Sequence, residues 1–250
     1  MKLVDINAYF GLWPHWEIST TTPEALVALL DKHGIHQAAV ASTRGVFLSG
    51  AKGIQHVHSL MQTYPQRILG FAIVNITEEE AAVRQVEEAH RLGFCGLRLF
   101  PQHHQYRLDD DPYLADVLSL AQDLEMPVLI PIRMILHWGL PQLDVRDLDG
   151  IARRFPKLRL IIGGVNYGEL RDALAVMRHH AQVGFETSCM QMTFGIETLV
   201  KKAGAERIYF GTALPLMYPA PAIFKIEKAE ISDAEKEMIF GLNALQLLKH

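Results

Sequence analysis

Apolar positions in this chain fall into short unbroken runs separated by segments of helical period. The runs are LVDINAY (3–9), QAAVAS (37–42), RILGFAIV (67–74), CGLRLF (95–100), PVLIPI (127–132), LRLIIGG (158–164), VGFETS (183–188) and RIYFGT (207–212). Their continuous apolar character predicts strands covered on both faces, as in a parallel sheet. Helix punctuation fills the gaps. Thr22 precedes Pro23 and Glu24, and Gly34 closes that segment. Thr77 to Glu80 and Ser232 to Glu235 have the spacing of a capping box, and Asp111 before Pro112 opens another helix. Units of this kind predict one domain over residues 1–250, a closed (β/α)8 barrel of the α/β class. An open doubly wound sheet would call for a glycine-rich phosphate loop after the first strand, and NAYFGLWPHW (7–16) has only Gly11. The stretch 213–231, with Pro215, Pro219 and Pro221, reads as a long loop lying over the barrel mouth.

Composition narrows the class of function. Apolar residues make up 49% and charged residues 21% of the 250, a globular balance. A net charge of −4 implies no basic surface, so nucleic acid is not an expected partner. No apolar run is long enough to span a membrane. The start, MKLVDINAYF, lacks a signal-peptide core, and a cytoplasmic setting is expected. Cys95 and Cys189 make neither a disulfide scaffold nor a thiolate metal cluster.

In such a barrel the C-terminal ends of the strands form the active face. The candidates there include Asn7, Tyr9, Arg98, Phe100, Pro131, Arg133, Gly164, Asn166, Glu186, Ser188 and Ala213. The loops beyond add His15, Trp16, His103, His104, His137 and Trp138.

Five segments carry a family resemblance. LVDINAYFG (3–11) resembles the first-strand motif of the amidohydrolase superfamily, an Asp followed by His-x-His and Phe-Gly. Residues 93–131 resemble the block around its fourth and fifth strands, and FPKLRLIIGGVN (155–166) its sixth. RIYFGTALP (207–215) resembles the Phe-Gly-Ser-Asp-x-Pro eighth strand, and IFGLNALQLL (239–248) the closing helix. The resemblance implies a barrel hydrolase or decarboxylase of the amidohydrolase-related, metal-dependent branch. That family holds its divalent ion through the two first-strand histidines, a fifth-strand and a sixth-strand His, and an eighth-strand Asp. At the matching positions stand Asn7, Tyr9, Pro131, Gly164 and Ala213. Amide and phenol are poor ligands for a dication and the other three offer none. No metal and no other cofactor is therefore expected, and no metal-acidified water.

Gly164 and Ala213 should open volume at the mouth, unless Tyr9, Phe100 and Met134 fill it. Arg98, on the interior face, would need a carboxylate partner, with Asp5 and Glu186 as candidates. Arg98 and Arg133 could instead clamp an anion bidentately. Three readings follow. The first is a metal-independent hydrolase of a lactone or activated ester, or a lyase or isomerase, acting on a small anionic, aromatic-type substrate. Arg98 and Arg133 would bind the anion, with Trp16, Trp138, Asn166 and Glu186 lining the site. His103, His104 or His137 would move protons, and Asn7 or Tyr9 would polarise a carbonyl. The second is a catalytically silent relative that binds a ligand or a protein partner. A mouth plugged by Tyr9, Phe100 and Tyr218 would favour it. The third is a relocated metal site built from the loop histidines and Glu186. Partners expected are a small anionic molecule and, allowed for, further copies of the chain. Asp109 and Asp110 read as turn residues, and Cys189 as a packed thiol.

Overall fold

The computed structural model describes every residue except 19, 110, 136–138, 249 and 250. Eight parallel strands follow one another around a nearly closed barrel: β1 (Leu3–Phe10), β2 (Ile35–Ser42), β3 (Ile68–Ile73), β4 (Gly96–Arg98), β5 (Val128–Pro131), β6 (Leu160–Gly163), β7 (Val183–Glu186) and β8 (Ile208–Tyr209). Each strand pairs with the next in sequence. Backbone bonds from Ile6 N to Phe210 O (3.0 Å) and from Tyr9 N to Leu214 O (2.7 Å) bring β1 against the end of β8. The (β/α)8 architecture expected from the alternating runs is the one observed.

Strand alternation divides the apolar residues into two separate cores. Ala38, Val40, Val128, Ile130, Leu160 and Ile162 face outward and pack with the surrounding helices. Ala39, Ala41, Phe71, Ile73, Leu129 and Ile161 face inward and fill the barrel. β1 carries a bulge: Asp5 pairs with Ala38, but Ala8 pairs with Val40. The extra residue switches the facing parity, so that Val4, Ile6 and then Tyr9 all belong to the interior.

Helix starts are mostly the ones their sequences promise. Thr22 and Asp111 cap Pro23–Lys32 and Pro112–Asp123 through their side chains, and Ser232 with Glu235 forms a full capping box. Thr77 does not cap the helix Glu80–Arg91. Its N–H and hydroxyl both donate to Asn75 Oδ1, so the hydroxyl is spent on a preceding 3-10 turn. The stretch 213–231 is not a plain loop either. Pro219 and Pro221 sit in the first turn of a helix, Pro219–Glu227, where proline is tolerated.

Arg98, the last residue of β4, crosses the barrel interior. Its guanidinium donates to the carbonyls of Ala8 (3.0 Å), Ile6 (2.8 Å) and Ala39 (2.9 Å), and lies between the rings of Tyr9 and Phe71. It is 0% exposed. The expected carboxylate partner is replaced by backbone oxygens, because the bulged stretch of β1 presents the Ile6 and Ala8 carbonyls to it. Arg98→Met should leave these three acceptors without their donor and cost about 3 kcal/mol or more of stability. Urea denaturation with near-UV circular dichroism would measure it.

Candidate functional site

Two carboxylates lie at the strand ends, and both are engaged within the barrel wall. Asp5 accepts from Asn7 N (2.8 Å), Thr212 N (3.2 Å) and Thr212 Oγ1 (2.5 Å). Burial pushes its pKa up, opposed by these bonds and by the Arg98 charge. Glu186 accepts from Asn7 Nδ2 (2.9 Å), Ser188 Oγ (2.9 Å) and Ser188 N (2.5 Å). Burial raises its pKa as well, against the Ser188 bonds. A Cβ on Gly211 would strike the Glu186 carboxylate, so the bare backbone of that glycine lets the acid lie flat against the strand. Neither group faces solvent: both are 0% exposed.

The mouth above them is filled. Tyr9, Phe100, Met134 and Ala213 are all buried, joined by Trp13, Ile135 and Leu216. Tyr218 takes no part, for it stands 86% exposed. Trp13 and Leu216 occupy the covering role instead. Ring contacts run from Tyr9 to Phe100 (6.5 Å), His103 (5.9 Å), Phe47 (6.3 Å) and Trp13 (5.6 Å), each distance measured from the preceding ring. Trp16 lies edge-on to Trp13 at the outside of this cluster. The volume that Gly164 and Ala213 were expected to release is thus taken up.

Gly164 does more than lack a ligand. It has φ +73°, and a Cβ there would strike the Arg133 carbonyl oxygen and sit 3.0 Å from its amide nitrogen. The backbone after β5 occupies the place where a side chain at the end of β6 would begin. Arg133 is anchored there by an ion pair to Glu169 (2.5 Å). Glu169 also accepts from Asn166 N (3.1 Å) and Gln142 Nε2 (3.2 Å), while Asn166 Oδ1 accepts from Gln191 N (2.9 Å). Arg133 and Asn166 therefore staple three loops together.

Placed against the expected site, the residues divide. Asn7, Glu186 and Ser188 come together in one buried cluster, with Asp5 and Arg98 beneath it. His103 and His104 sit on the aromatic cluster. Burial pulls the pKa of His103 down to about 4, helped by His104 and His15, and lowers that of His104. His104 Nε2 lies 3.2 Å from Val46 O. His137 and Trp138 lie outside the described residues, as does Asp110. Asp109 pairs with Arg107 as a turn residue can. Cys189 is buried and its thiol is pushed up to about 12, which leaves it unreactive.

Three features escaped sequence reasoning. Lys225, in the stretch read as a loop, donates to Thr187 O (2.8 Å), Ser188 O (3.0 Å) and Met190 O (2.8 Å) and fixes the turn after β7. Burial brings its pKa down to about 8. Ser42 Oγ lies 2.9 Å from His56 Nδ1, on the helix Gly50–Thr63. Thr212 was placed at a strand end, but its bond to Asp5 had no signal beyond strand order.

The donor set does not fit a divalent cation. The two acids are held by N–H and O–H groups, and the Arg98 guanidinium lies among the same strands. Among the described residues no three of His, Cys, Asp and Glu cluster at ligand spacing. Also among the described residues, several buried polar atoms at the mouth lack a hydrogen-bond partner: Asn7 Oδ1, Tyr9 Oη, Trp13 Nε1 and His103 Nε2. No helix among the described residues is long and apolar enough to cross a membrane.

A profile of the amidohydrolase family matches residues 20–249. Curated proteins give no match. Several solved structures share the fold over nearly their whole length. A 2,6-dihydroxybenzoate decarboxylase from Rhizobium has 17% identity and a TM-score of 0.78, over 99% of this chain and 98% of that one. A 5-carboxyvanillate decarboxylase from Sphingomonas paucimobilis has 15% identity and a TM-score of 0.77, over 99% and 98%. A dihydroxybenzoic acid decarboxylase from Polaromonas sp. JS666, with bound manganese and the inhibitor 2-nitroresorcinol, has 17% identity and a TM-score of 0.78, over 99% and 96%.

Two outcomes test this geometry. Gly164→Ala should cost about 2–4 kcal/mol from left-handed strain and the clash with Arg133, whereas Gly168→Ala, with open space around its Cβ, should be near neutral. Chemical denaturation of the pair checks this. The second concerns pH. Folded His103 titrates near 4, and an unfolded histidine near 6.5. Unfolded chains therefore take up a proton that the fold refuses between those values. The stabilising contribution is full above pH 6.5 and is lost as pH falls toward 4. The raised Asp5 and Glu186 pull the other way, so the comparison is with a variant. Wild type should lose more stability between pH 7 and 5 than His103→Phe.

Proposed function

The chain belongs to the amidohydrolase family, and from that premise we propose that it is a metal-free, catalytically silent member that works by binding. Its ligand class is a small anionic, aromatic-type molecule. The observation that carries this reading is the Arg133 backbone filling the place of a sixth-strand ligand side chain. Loss of a ligand by substitution alone leaves a space that another group or a water can use. Here the Arg133 backbone itself stands in that space. The covered mouth, with Tyr9, Phe100 and Met134 buried, supports the same reading.

The ligand class rests on the polar atoms left over. A plug selected only for packing would be apolar, because each buried polar group without a partner costs about 1–3 kcal/mol. Trp13 Nε1 can only donate, Tyr9 Oη can donate or accept, and all sit in an aromatic surround. A flat molecule bearing acceptor oxygens would pair with them once the Trp13 and Leu216 cover moves aside. Structural neighbours that act on or bind benzoate-type acids and a nitroresorcinol make that class a reasonable first probe.

A second reading is a metal-independent hydrolase, lyase or isomerase for the same class of molecule. It is favoured by His103, whose neutral imidazole has a buried Nε2 without a partner beside Phe100. In that reading Tyr9 or Asn7 would polarise a carbonyl and His103 or His104 would move the proton. Arg98, committed to three carbonyls, would position the strands and not the substrate.

One experiment separates the readings. Wild-type protein is mixed with 2,6-dihydroxybenzoate and with a set of aryl lactones, with and without manganese. Tryptophan fluorescence reports binding and chromatography reports product. The silent reading predicts saturable quenching, reversed in strength by Trp13→Phe, and no product above a protein-free control. Product that scales with protein and falls at least tenfold in His103→Asn would overturn it in favour of the second reading.

A further inference from the structure

Large apolar side chains left exposed are unevenly placed. Leu12 (74%) follows β1 and Leu48 (65%) follows β2. Tyr167 (68%) follows β6 and Phe194 (60%) follows β7, while Tyr218 (86%) and Phe224 (59%) lie beyond β8. All belong to the C-terminal rim of the barrel. Because β8 closes onto β1, the rim from β6 through β8 to β2 is one continuous arc. Met192, Phe194 and Phe224 share one cleft within it, and Tyr218 shares the adjoining one.

The same arc is poor in formal charge. Segments 11–16, 45–51, 160–168, 187–196 and 208–224 contain no Asp, Glu, Lys or Arg, in a chain where 21% of residues are charged. Exposed Arg44 and Glu17 adjoin it, Lys225 lines both clefts with its ammonium held on three carbonyls, and Lys228, Glu197 and Glu230 border the cleft beside Phe224. Solvated loops of a monomer ordinarily carry such charges, and contiguous apolar patches of this size mark contact surfaces.

We propose that this rim is an interface between two copies of the chain, meeting face to face about a two-fold axis. Three features select a second copy over another partner. Each chain carries a net charge of −4, so copies repel unless they meet through an uncharged face. An isologous contact must be self-complementary, and an apolar arc with few charges satisfies that while opposing few like charges. The edge offers both signs together, so Lys228 of one copy can meet Glu197 or Glu230 of the other. Area agrees as well. At roughly 200 Å² for each large side chain, the exposed parts of the apolar residues on this arc come to about 1,000 Å², near the ~800 Å² per partner of a stable complex. The inference stands whether the mouth is silent or active, since it uses the rim and not the barrel interior.

Sedimentation equilibrium of the full chain from the nanomolar to the 100 μM range, on the order of protein–protein affinities, tests it. A monomer–dimer equilibrium is expected. Phe194→Glu combined with Tyr218→Glu should raise its dissociation constant at least a hundredfold. Leu242→Glu, exposed at the opposite end where Gly241 meets Lys2, should leave it unchanged. Hydrogen exchange offers a reading without variants: protection of 187–194 and 213–224 should rise with protein concentration. A monomer at every concentration would overturn the proposal and point to a different partner. So would a trimer or larger ring, or a dimer broken by Leu242→Glu and not by the rim variants.

Discussion

A guanidinium held on three backbone carbonyls sets the electrostatics inside this barrel. Arg98 brings one positive charge to the centre of the fold and spends it on the bulged stretch of β1 and on β2. Burying a bare cation would cost many kcal/mol, and the carbonyl dipoles with the Tyr9 and Phe71 rings are what make it tolerable. Burial still raises the pKa of Asp5; the bonds from Thr212 and Asn7 oppose it most, and the Arg98 charge adds to them. The two acids at these strands are thus held by N–H and O–H donors of the chain, with the guanidinium nearby. A dication added to that group would face a guanidinium that cannot lose its proton.

The remainder of the mouth follows from this arrangement. Glu186 needs donors, and Asn7 and Ser188 supply them where a metal-binding barrel would need free lone pairs. The path after β5 presses onto Gly164, and the Arg133–Glu169 pair keeps it there. Trp13, Phe47, Phe100 and His103 then cover the axis. A change at one ligand position would leave a damaged site. Here backbone path, hydrogen bonding and packing all bear on the same strand ends.

Much of the architecture was legible in the sequence. Runs such as PVLIPI and LRLIIGG read as covered strands because both faces of each are in fact packed, and cap residues at Thr22, Asp111 and Ser232 act as their positions imply. The missing ligands at Asn7, Tyr9, Pro131, Gly164 and Ala213 were visible only because the family resemblance says where to look. Other features had no local signal. The partner of Arg98 depends on a bulge that no side-chain pattern announces. The prolines of 213–231 hid a helix because proline is also at home in a first turn. Lys225 lay unremarked in that stretch, and its three carbonyl acceptors come from a loop more than thirty residues away. Pairings set by tertiary approach are lost to a reading that sees one segment at a time.

The claim on which all this rests is that the strand-end acids are committed to donors of the chain itself and have no place for a divalent ion. Calorimetric titration of the chelator-treated protein with zinc and with manganese, followed by elemental analysis after dialysis, measures that directly. That commitment predicts no saturable heat and a substoichiometric ion content. One tightly held ion per chain, released on changing Glu186→Gln or Asn7→Ala, would contradict it.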